Sequence, residues 1–199
     1  MATILGSDRL VRNKLVIVGQ PHSGKEEILK SFAGLVGSQV AEGIIGDTRV
    51  IRSRVKDGEL GKTGWQHEID LFAVVGEAPL NAASQLVMSG CDALLVVIDC
   101  RPNHVNHSRE VLQAMVDNLR RNKLDPAFLP IVLQYHRSDL NPAFDAHKLD
   151  VWLGVDGSDL TRISTSSVPS STPSELGLIT ALELTRENSR SLIKGFANS

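Results

Sequence analysis

The sequence predicts a three-layer α/β sandwich around a mostly parallel sheet of about six strands, with one antiparallel strand pair. Continuous apolar runs at 93–98 and 130–134 are typical of strands buried on both faces of a parallel sheet. Apolar residues at helical spacing alternate with such runs, most clearly at 104–121. Alternating apolar and polar residues at 48–56, followed by a strand-like segment at 65–75, predict the antiparallel pair.

The other elements follow from the same two periodicities. The expected strands are 15–18, 48–56, 65–75, 93–98, 130–134 and 160–165. The expected helices are 25–35, 80–88, 104–121 and 174–196. Residues 38–47 contain glycine and show no clear periodicity, which predicts a loop, and Asp57-Gly58 predicts the turn between the antiparallel strands.

Length, composition and charge indicate a single globular domain. We expect one domain over 1–199, with a lead-in at 1–13 and a C-terminal helical segment at 174–199. A net charge of −2 gives no electrostatic reason to expect nucleic acid or an anionic membrane as partner. No apolar run approaches the ~20 residues of a membrane span. We therefore expect a cytoplasmic protein without membrane insertion, in which Cys91 and Cys100 are reduced thiols.

A candidate phosphate-binding loop joins the first apolar strand to the first helix. Gly19 follows the strand 15–18, and Gly24-Lys25 precedes a helical pattern, which fits the motif G-x-x-x-x-G-K-[ST] up to its last position. In such a loop backbone N–H groups and the helix N-terminus hold an anion, and the lysine reaches the outer phosphates. Glu26 stands where the motif has a hydroxyl residue that holds Mg²⁺. The candidate nucleotide-binding residues of the loop are Gly19, Gln20, Pro21, His22, Ser23, Gly24, Lys25 and Glu26.

The direction of the Glu26 side chain decides whether this loop is accessible, and two interpretations are open. If Glu26 turns away from Lys25, the lysine is available to phosphate. If the two residues form a salt bridge, the loop is occupied by its own side chain and phosphate is excluded.

Several candidate residues follow directly on predicted strands. Gly19, Gly76, Asp99 and the residues after Gln134 all have this position. In an open parallel sheet, ligands bind beyond the carboxyl ends of the strands. We therefore expect these residues to surround one crevice.

Two segments carry a resemblance to a known family. Residues 129–140 read Leu-Pro-Ile-Val-Leu-Gln-Tyr-His-Arg-Ser-Asp-Leu, and residues 74–77 read Val-Val-Gly-Glu before a helix and the strand to Asp99. The first segment is similar to a strand ending in Gln-Tyr and the guanine motif N-K-x-D of Ras-like small G domains, and the second to their switch II region. Among these, the chain most resembles the bacterial Mgl-type GTPases of gliding motility and polarity. The resemblance spans nearly the whole chain and implies a P-loop G-domain sandwich, with GTP or GDP as ligand.

The motifs depart from the family pattern at several positions. In the guanine motif His136 and Arg137 replace the asparagine and the lysine, whereas Asp139 stands where the family's aspartate accepts the N–H groups of the base. In the motif D-x-x-G, Ala73 replaces the aspartate and Gly76 remains. By resemblance, the candidate nucleotide-binding residues are completed by Gly76, His136, Arg137 and Asp139.

The same departures argue against efficient hydrolysis. Glu77 replaces the glutamine that orients the attacking water, and its negative charge opposes transition-state stabilisation at a γ-phosphate. Ala73 and Glu26 replace both protein anchors of Mg²⁺, which makes Mg²⁺ a doubtful cofactor. Thr48 is a weaker candidate for the switch I threonine. We assign no catalytic residue and no metal-binding residue.

Together these features predict a degenerate Mgl-type small GTPase-like protein with a regulatory or scaffolding role. Guanine-nucleotide binding is expected to be weak or absent, with little intrinsic hydrolysis. The alternative is a GTP- or GDP-binding molecular switch with slow, partner-assisted hydrolysis. The expected partner is a protein regulator or effector, by resemblance including roadblock-type dimers, at the switch-like surfaces formed by Arg49, Arg52, Arg54 and residues 76–88.

Two further patterns permit other chemistry. Asp99 at the end of an apolar strand resembles a Walker B aspartate, which would suggest an ATPase, but an aspartate in this position also has structural roles in G domains. His104, His107 and His136 lack the spacing and the fourth ligand of a dependable metal site, so capping and surface roles are favoured.

Overall fold

The structure, a computed structural model, describes residues 2–76, 82–167 and 172–197. Its strands are β1 (Thr3–Leu5), β2 (Leu10–Gly19), β3 (Val40–Ile45), β4 (Thr48–Glu59), β5 (Gln66–Val75), β6 (Ala93–Asp99), β7 (Ile131–His136) and β8 (Thr161–Ser164). Its α-helices are α1 (Lys25–Leu35), α2 (Ala82–Met88), α3 (Ser108–Arg121), α4 (Ala146–Leu153) and α5 (Leu176–Ala197). Glu77 and part of the proposed partner surface 76–88 lie outside the described residues.

The described strands form one mostly parallel sheet with the order β3-β4-β5-β2-β6-β7-β8. Strands β5, β2, β6, β7 and β8 are joined by parallel pairings. The antiparallel pairing of β4 with β5 was expected, and β3 with β4 and β1 with β2 add two more. The fold class is therefore confirmed, whereas the expected six strands are in fact eight.

The sheet is larger than expected because its peripheral strands lack a periodic signal. Residues 38–47 are not a loop throughout, since β3 pairs with β4 from Val40 opposite Ser53 to Ile45 opposite Thr48. Most of β3 is solvent-exposed on both faces, so its sequence shows no alternation of apolar and polar residues. The lead-in 1–13 likewise contains β1 and the first residues of β2.

The turn of the antiparallel pair and one helix also differ from expectation. Asp57-Gly58 does not end the strand: β4 continues to Glu59 through a register shift, and the connection to β5 follows it. Helix α4 was not predicted, because its eight residues make only about two turns, too few to establish a helical period. It begins at a side-chain cap, in which the Asp145 carboxylate accepts a hydrogen bond from the Lys148 N–H.

The sheet separates two hydrophobic cores, because successive side chains of a strand point to opposite faces. On β2, Leu15 and Ile17 pack with residues of α1 and α5, whereas Val16 packs with residues of α2 and α3. All three side chains are fully buried, and each contributes roughly 1.5–3 kcal/mol through burial. This packing fixes β2 at the centre of the sheet and holds the loop that follows Gly19.

Candidate functional site

The loop between β2 and α1 has the backbone of a phosphate-binding loop. His22 (φ 57°) and Gly24 (φ 93°) both adopt left-handed conformations immediately before α1 begins at Lys25. A Cβ on Gly24 would lie 2.9 Å from the His136 ring, so this position requires glycine for space as well as for conformation. The loop lines a crevice of about 270 Å³, to which Gly76 contributes from the end of β5.

Lys25 is the chemically distinctive residue of this crevice. Its side chain is 5% exposed, and its Nζ donates a hydrogen bond to the Gln20 carbonyl at 2.8 Å. Burial lowers the pKa of Lys25 to about 8, and the nearby charges of Glu26 and Glu27 compensate only in part. Within the described parts of the chain, no carboxylate lies within ion-pair distance of its ammonium. A buried cation that a single carbonyl satisfies is suited to receive an anion.

Glu26 turns away from Lys25, which decides between the two interpretations of the loop. Its Oε1 accepts from Lys30 Nζ at 2.7 Å and from Arg49 Nη2 at 2.6 Å. These hydrogen bonds, from Lys30 first and then from Arg49, lower the pKa of Glu26. The loop is therefore not occupied by its own glutamate.

Polar side chains anchor the loop to α3. The Gln20 amide donates to the His104 carbonyl at 2.8 Å, and the Gln20 Oε1 accepts from the Ser108 hydroxyl at 2.7 Å. Ser23 is fully buried, and its hydroxyl forms no hydrogen bond with any described residue. The sequence pattern identified neither Ser108 nor its contact with Gln20, because the two residues are 88 positions apart.

His136 closes the inner side of the loop as a neutral ring. Gln134 Nε2 donates to Thr165 Oγ1, and Thr165 Oγ1 lies 3.0 Å from His136 Nδ1. The Nε2 edge of the ring faces Gly24. Burial, followed by the nearby charge of Arg137, lowers the pKa of His136 to about 4.

Arg137 and Asp99 form an ion pair beside the loop. Arg137 Nη1 donates to the His22 carbonyl and to Asp99 Oδ2, both at 2.9 Å. Asp99 is fully buried and also pairs with Arg101 at 2.6 Å. With its carboxylate bound by two guanidinium groups, Asp99 fits the structural role better than that of a metal-binding Walker B aspartate.

Asp139, which marks the candidate base end of the site, is bound by the chain itself. Its two carboxylate oxygens accept from the Ser167 N–H at 2.7 Å and from the Ser167 hydroxyl at 2.5 Å. A guanine base that used Asp139 would compete with Ser167 for this carboxylate.

The remaining candidate groups do not assemble a cation site. Ala73 is fully buried in β5 and offers no oxygen ligand, and Thr48 is 7% exposed with its hydroxyl 3.3 Å from Asp47. In the ranges that the structure describes, no three His, Cys, Asp or Glu side chains are grouped to hold a metal. The oxygen ligands that Mg²⁺ prefers are thus replaced or already engaged.

The structure brings the candidate loop together with Gly76, His136 and Arg137, whereas Asp139 stands at the base end with Ser167. A P-loop beyond the carboxyl ends of a mostly parallel sheet is the arrangement of a small G domain. No protein-family model matches the chain. Over 156 residues the chain is 24% identical to the mutual gliding-motility protein MglA of Myxococcus xanthus (strain DK1622), an alignment that covers 75% of this chain and 79% of that protein. The chain is thus a distant homologue of MglA, which confirms the Mgl-type resemblance at the level of class and fold.

One further property concerns membranes. Among the described helices, none combines the length and the apolar composition needed to span a bilayer.

Proposed function

We propose that this small GTPase-like protein is a regulatory module that binds guanine nucleotide weakly through its phosphate loop and hydrolyses GTP little. The relative's name concerns gliding motility. A role in motility or cell polarity, and a cytoplasmic location, belong to this proposal.

The buried ammonium of Lys25 carries the proposal. Its pKa is lowered by burial, and within the described residues it has a carbonyl but no carboxylate as partner. An anion bound in the loop would compensate this charge. The orphaned Ser23 hydroxyl and the left-handed loop backbone also fit a phosphate group.

Weak affinity is expected from the base end. Asp139 already accepts two hydrogen bonds from Ser167, so a base gains little net energy by replacing them. The guanidinium of Arg137 donates to His22 and Asp99 through Nη1, and its Nη2 lies 3.5 Å from Glu27 Oε2, so its charge is compensated by the chain itself.

Slow hydrolysis is expected from the groups that the chain lacks. Ala73 supplies no carboxylate, and Glu26 is engaged with Lys30 and Arg49. Glu77, in the position of the water-orienting residue, brings a negative charge rather than an amide. A protein of this kind would act by presenting a surface to a partner.

The candidate partner surface is the edge hairpin of β3 and β4. Arg52 and Arg54 lie on one face of this hairpin, and Arg49 lies on the other face with its cross-strand partner Ile44, which is 76% exposed. A protein regulator or effector, including a roadblock-type dimer, remains the proposed partner.

The test is thermal unfolding of the full chain with GDP, GTP, ATP or no ligand, together with GTP turnover. Ligand at a hundredfold excess over its dissociation constant should add about 2.7 kcal/mol to the free energy of unfolding. We expect stabilisation by GDP and GTP at millimolar concentration and turnover no faster than the slow intrinsic rate of a small GTPase, on the order of 10⁻⁴ s⁻¹.

Two results would contradict parts of this proposal. If no nucleotide stabilised the protein at millimolar concentration, nucleotide binding would be refuted, and the protein would be a binding module that works without nucleotide. Turnover a hundredfold above that intrinsic rate, without a partner, would make the protein an enzyme. A stabilisation by GTP that differs clearly from that by GDP would instead favour the molecular switch.

A further inference from the structure

The side chains around Glu26 form a closed set of charges at the rim of the crevice. Arg49 binds Glu26 with two N–H groups, at 3.0 and 2.6 Å, and binds Glu42 with two more, at 3.0 and 2.8 Å. Lys30 pairs with the same two glutamates at 2.7 and 3.2 Å. Two cations and two anions thus join α1, β3 and β4 beside the loop.

One member of this set, Glu26, stands where the family motif has its metal-binding hydroxyl residue. Glu26 follows Lys25 directly and lines the crevice, but both of its oxygens are bound by Arg49. The second anchor of the motif is the buried, apolar Ala73. The donor atoms present therefore do not fit Mg²⁺, which prefers oxygen ligands in near-octahedral geometry.

Arg49 keeps one N–H donor that could bind a phosphate oxygen beside this set. Its guanidinium carries five N–H donors and stays protonated at any working pH. Four of these donors are directed to Glu26 and Glu42 by the four hydrogen bonds above, which leaves the second N–H of Nη1 for another acceptor. The side chain is 40% exposed and held in place by bidentate contacts, so it is pre-organised without being enclosed.

We propose that Arg49, positioned by Glu26 and Glu42, donates its remaining Nη1 N–H to a phosphate oxygen of a bound nucleoside diphosphate or triphosphate, and that binding here does not depend on a divalent cation. This inference rests on the proposed nucleotide binding and names a phosphate contact outside the loop. Lys25 then contacts the phosphate from inside the loop, and Arg49 stabilises it from the rim. In this arrangement Glu26 is a positioning residue for Arg49.

The direct test is isothermal titration of the full chain with GDP, once with excess Mg²⁺ and once with EDTA. We expect dissociation constants that agree within about twofold, because no protein group is placed to hold the cation. Arg49→Ala should weaken GDP binding about tenfold or more under both conditions, the loss typical of one charge-assisted contact.

Arg12→Ala is the matched control. Arg12 also binds a glutamate, Glu68, through two nitrogens, at 3.2 and 2.8 Å, but lies at the opposite end of β2 from the loop. It should leave the affinity for GDP within about twofold of the wild type, since no phosphate is near it. A loss equal to that of Arg49→Ala would overturn the role of Arg49.

A second variant keeps the proposal testable if Arg49→Ala unfolds the hairpin. Glu26→Ser restores the hydroxyl of the motif and releases Arg49 from one of its carboxylates. We expect Mg²⁺ to tighten GDP binding by this variant about fivefold or more, whereas it does not change binding by the wild type.

The outcomes separate this inference from the proposed function. Binding that weakens tenfold in EDTA would refute metal independence and leave nucleotide binding intact. No binding with or without Mg²⁺ would refute both. Equal binding under both conditions, with the expected loss in Arg49→Ala, would support both.

Discussion

The proposed phosphate end of the nucleotide site, at Lys25, and its proposed base end, at Asp139, differ in how their polar groups are satisfied. At the phosphate end, the buried ammonium of Lys25 has one carbonyl partner and, within the described residues, no acidic one. At the base end, Asp139 is bound by Ser167, and Arg137 is bound by Asp99 and the loop carbonyl. A nucleotide bound as we propose would therefore be held at its phosphates and would gain little from contacts to its base.

This difference gives a physical meaning to degeneracy in the motifs. A motif residue replaced by a group that the chain itself satisfies, such as Arg137, no longer needs the ligand for its stability. A motif residue that is retained but left with a buried charge, such as Lys25, still does. We therefore expect residues such as Lys25 to set the affinity for nucleotide. Because residues such as Arg137 no longer bind the base, we expect little discrimination among bases.

The largest expected effect comes from replacing Lys25 with methionine, which removes the buried charge but keeps the volume of the side chain. Affinity for GDP should fall about a hundredfold or more, on the order of 3 kcal/mol. The ligand-free protein should at the same time become more stable by about 1–3 kcal/mol, because a desolvated ammonium is lost. Titration with GDP and urea unfolding without ligand measure the two effects.

Lys148→Met is the control for this variant. Lys148 is 84% exposed, so its loss should change the free energy of unfolding by less than about 0.5 kcal/mol. A Lys25→Met protein that is less stable than the wild type without ligand would show that the ammonium is satisfied in the free protein, and the comparison between the two ends would fail.

The next largest effect concerns His136 and acid. Its pKa in the folded protein is lowered to about 4 from 6.5, so the unfolded chain binds the proton more tightly. The contribution of neutral His136 to the free energy of unfolding is complete above pH 6.5 and is lost as the pH falls through 4. This contribution is at most about 3 kcal/mol. Urea midpoints measured from pH 7 to pH 4 should decline less steeply in His136→Asn than in the wild type. Parallel curves for the two proteins would mean that His136 does not titrate with unfolding.

The smallest expected effect tests the base end. Ser167→Ala removes the hydroxyl that binds Asp139 but leaves the backbone N–H contact. The freed oxygen should improve the preference for GDP over ADP about fivefold, the value of roughly one hydrogen bond. Competition between the two nucleotides measures this preference, and Asp139→Ala in the same background should abolish the gain. An unchanged preference in Ser167→Ala would show that Ser167 does not compete with the base.

The parts of the site that were predictable share a local signal. The spacing of Gly19, Gly24 and Lys25 after an apolar run predicted the loop, and the apolar stripe that follows predicted α1 with its observed bounds, Lys25–Leu35. The exposed strand β3 and the short helix α4 were missed, because neither has a buried face long enough to impose a period on its sequence.

The contacts that define the chemistry of the crevice join residues far apart in the chain. Gln20 meets Ser108 across 88 positions, His136 meets Thr165 across 29, and Asp139 meets Ser167 across 28. Hydrophobic periodicity indicates which face of an element is buried, but it does not indicate which polar residue of a neighbouring element will contact that face. No local pattern could therefore have identified these partners.

The sequence by itself determined the class of fold, the phosphate loop and the replacement of several motif residues, because strand and helix periodicities and the order of motifs are properties of short segments. Only the tertiary structure decided the state of those residues. In the folded chain Glu26 pairs with Arg49, Lys25 is buried beside a single carbonyl, and Ser167 donates a hydrogen bond to Asp139. Charge and hydrogen-bond satisfaction depend on which side chains the folded chain brings within about 3 Å of one another, and that proximity is set by packing across the whole sheet.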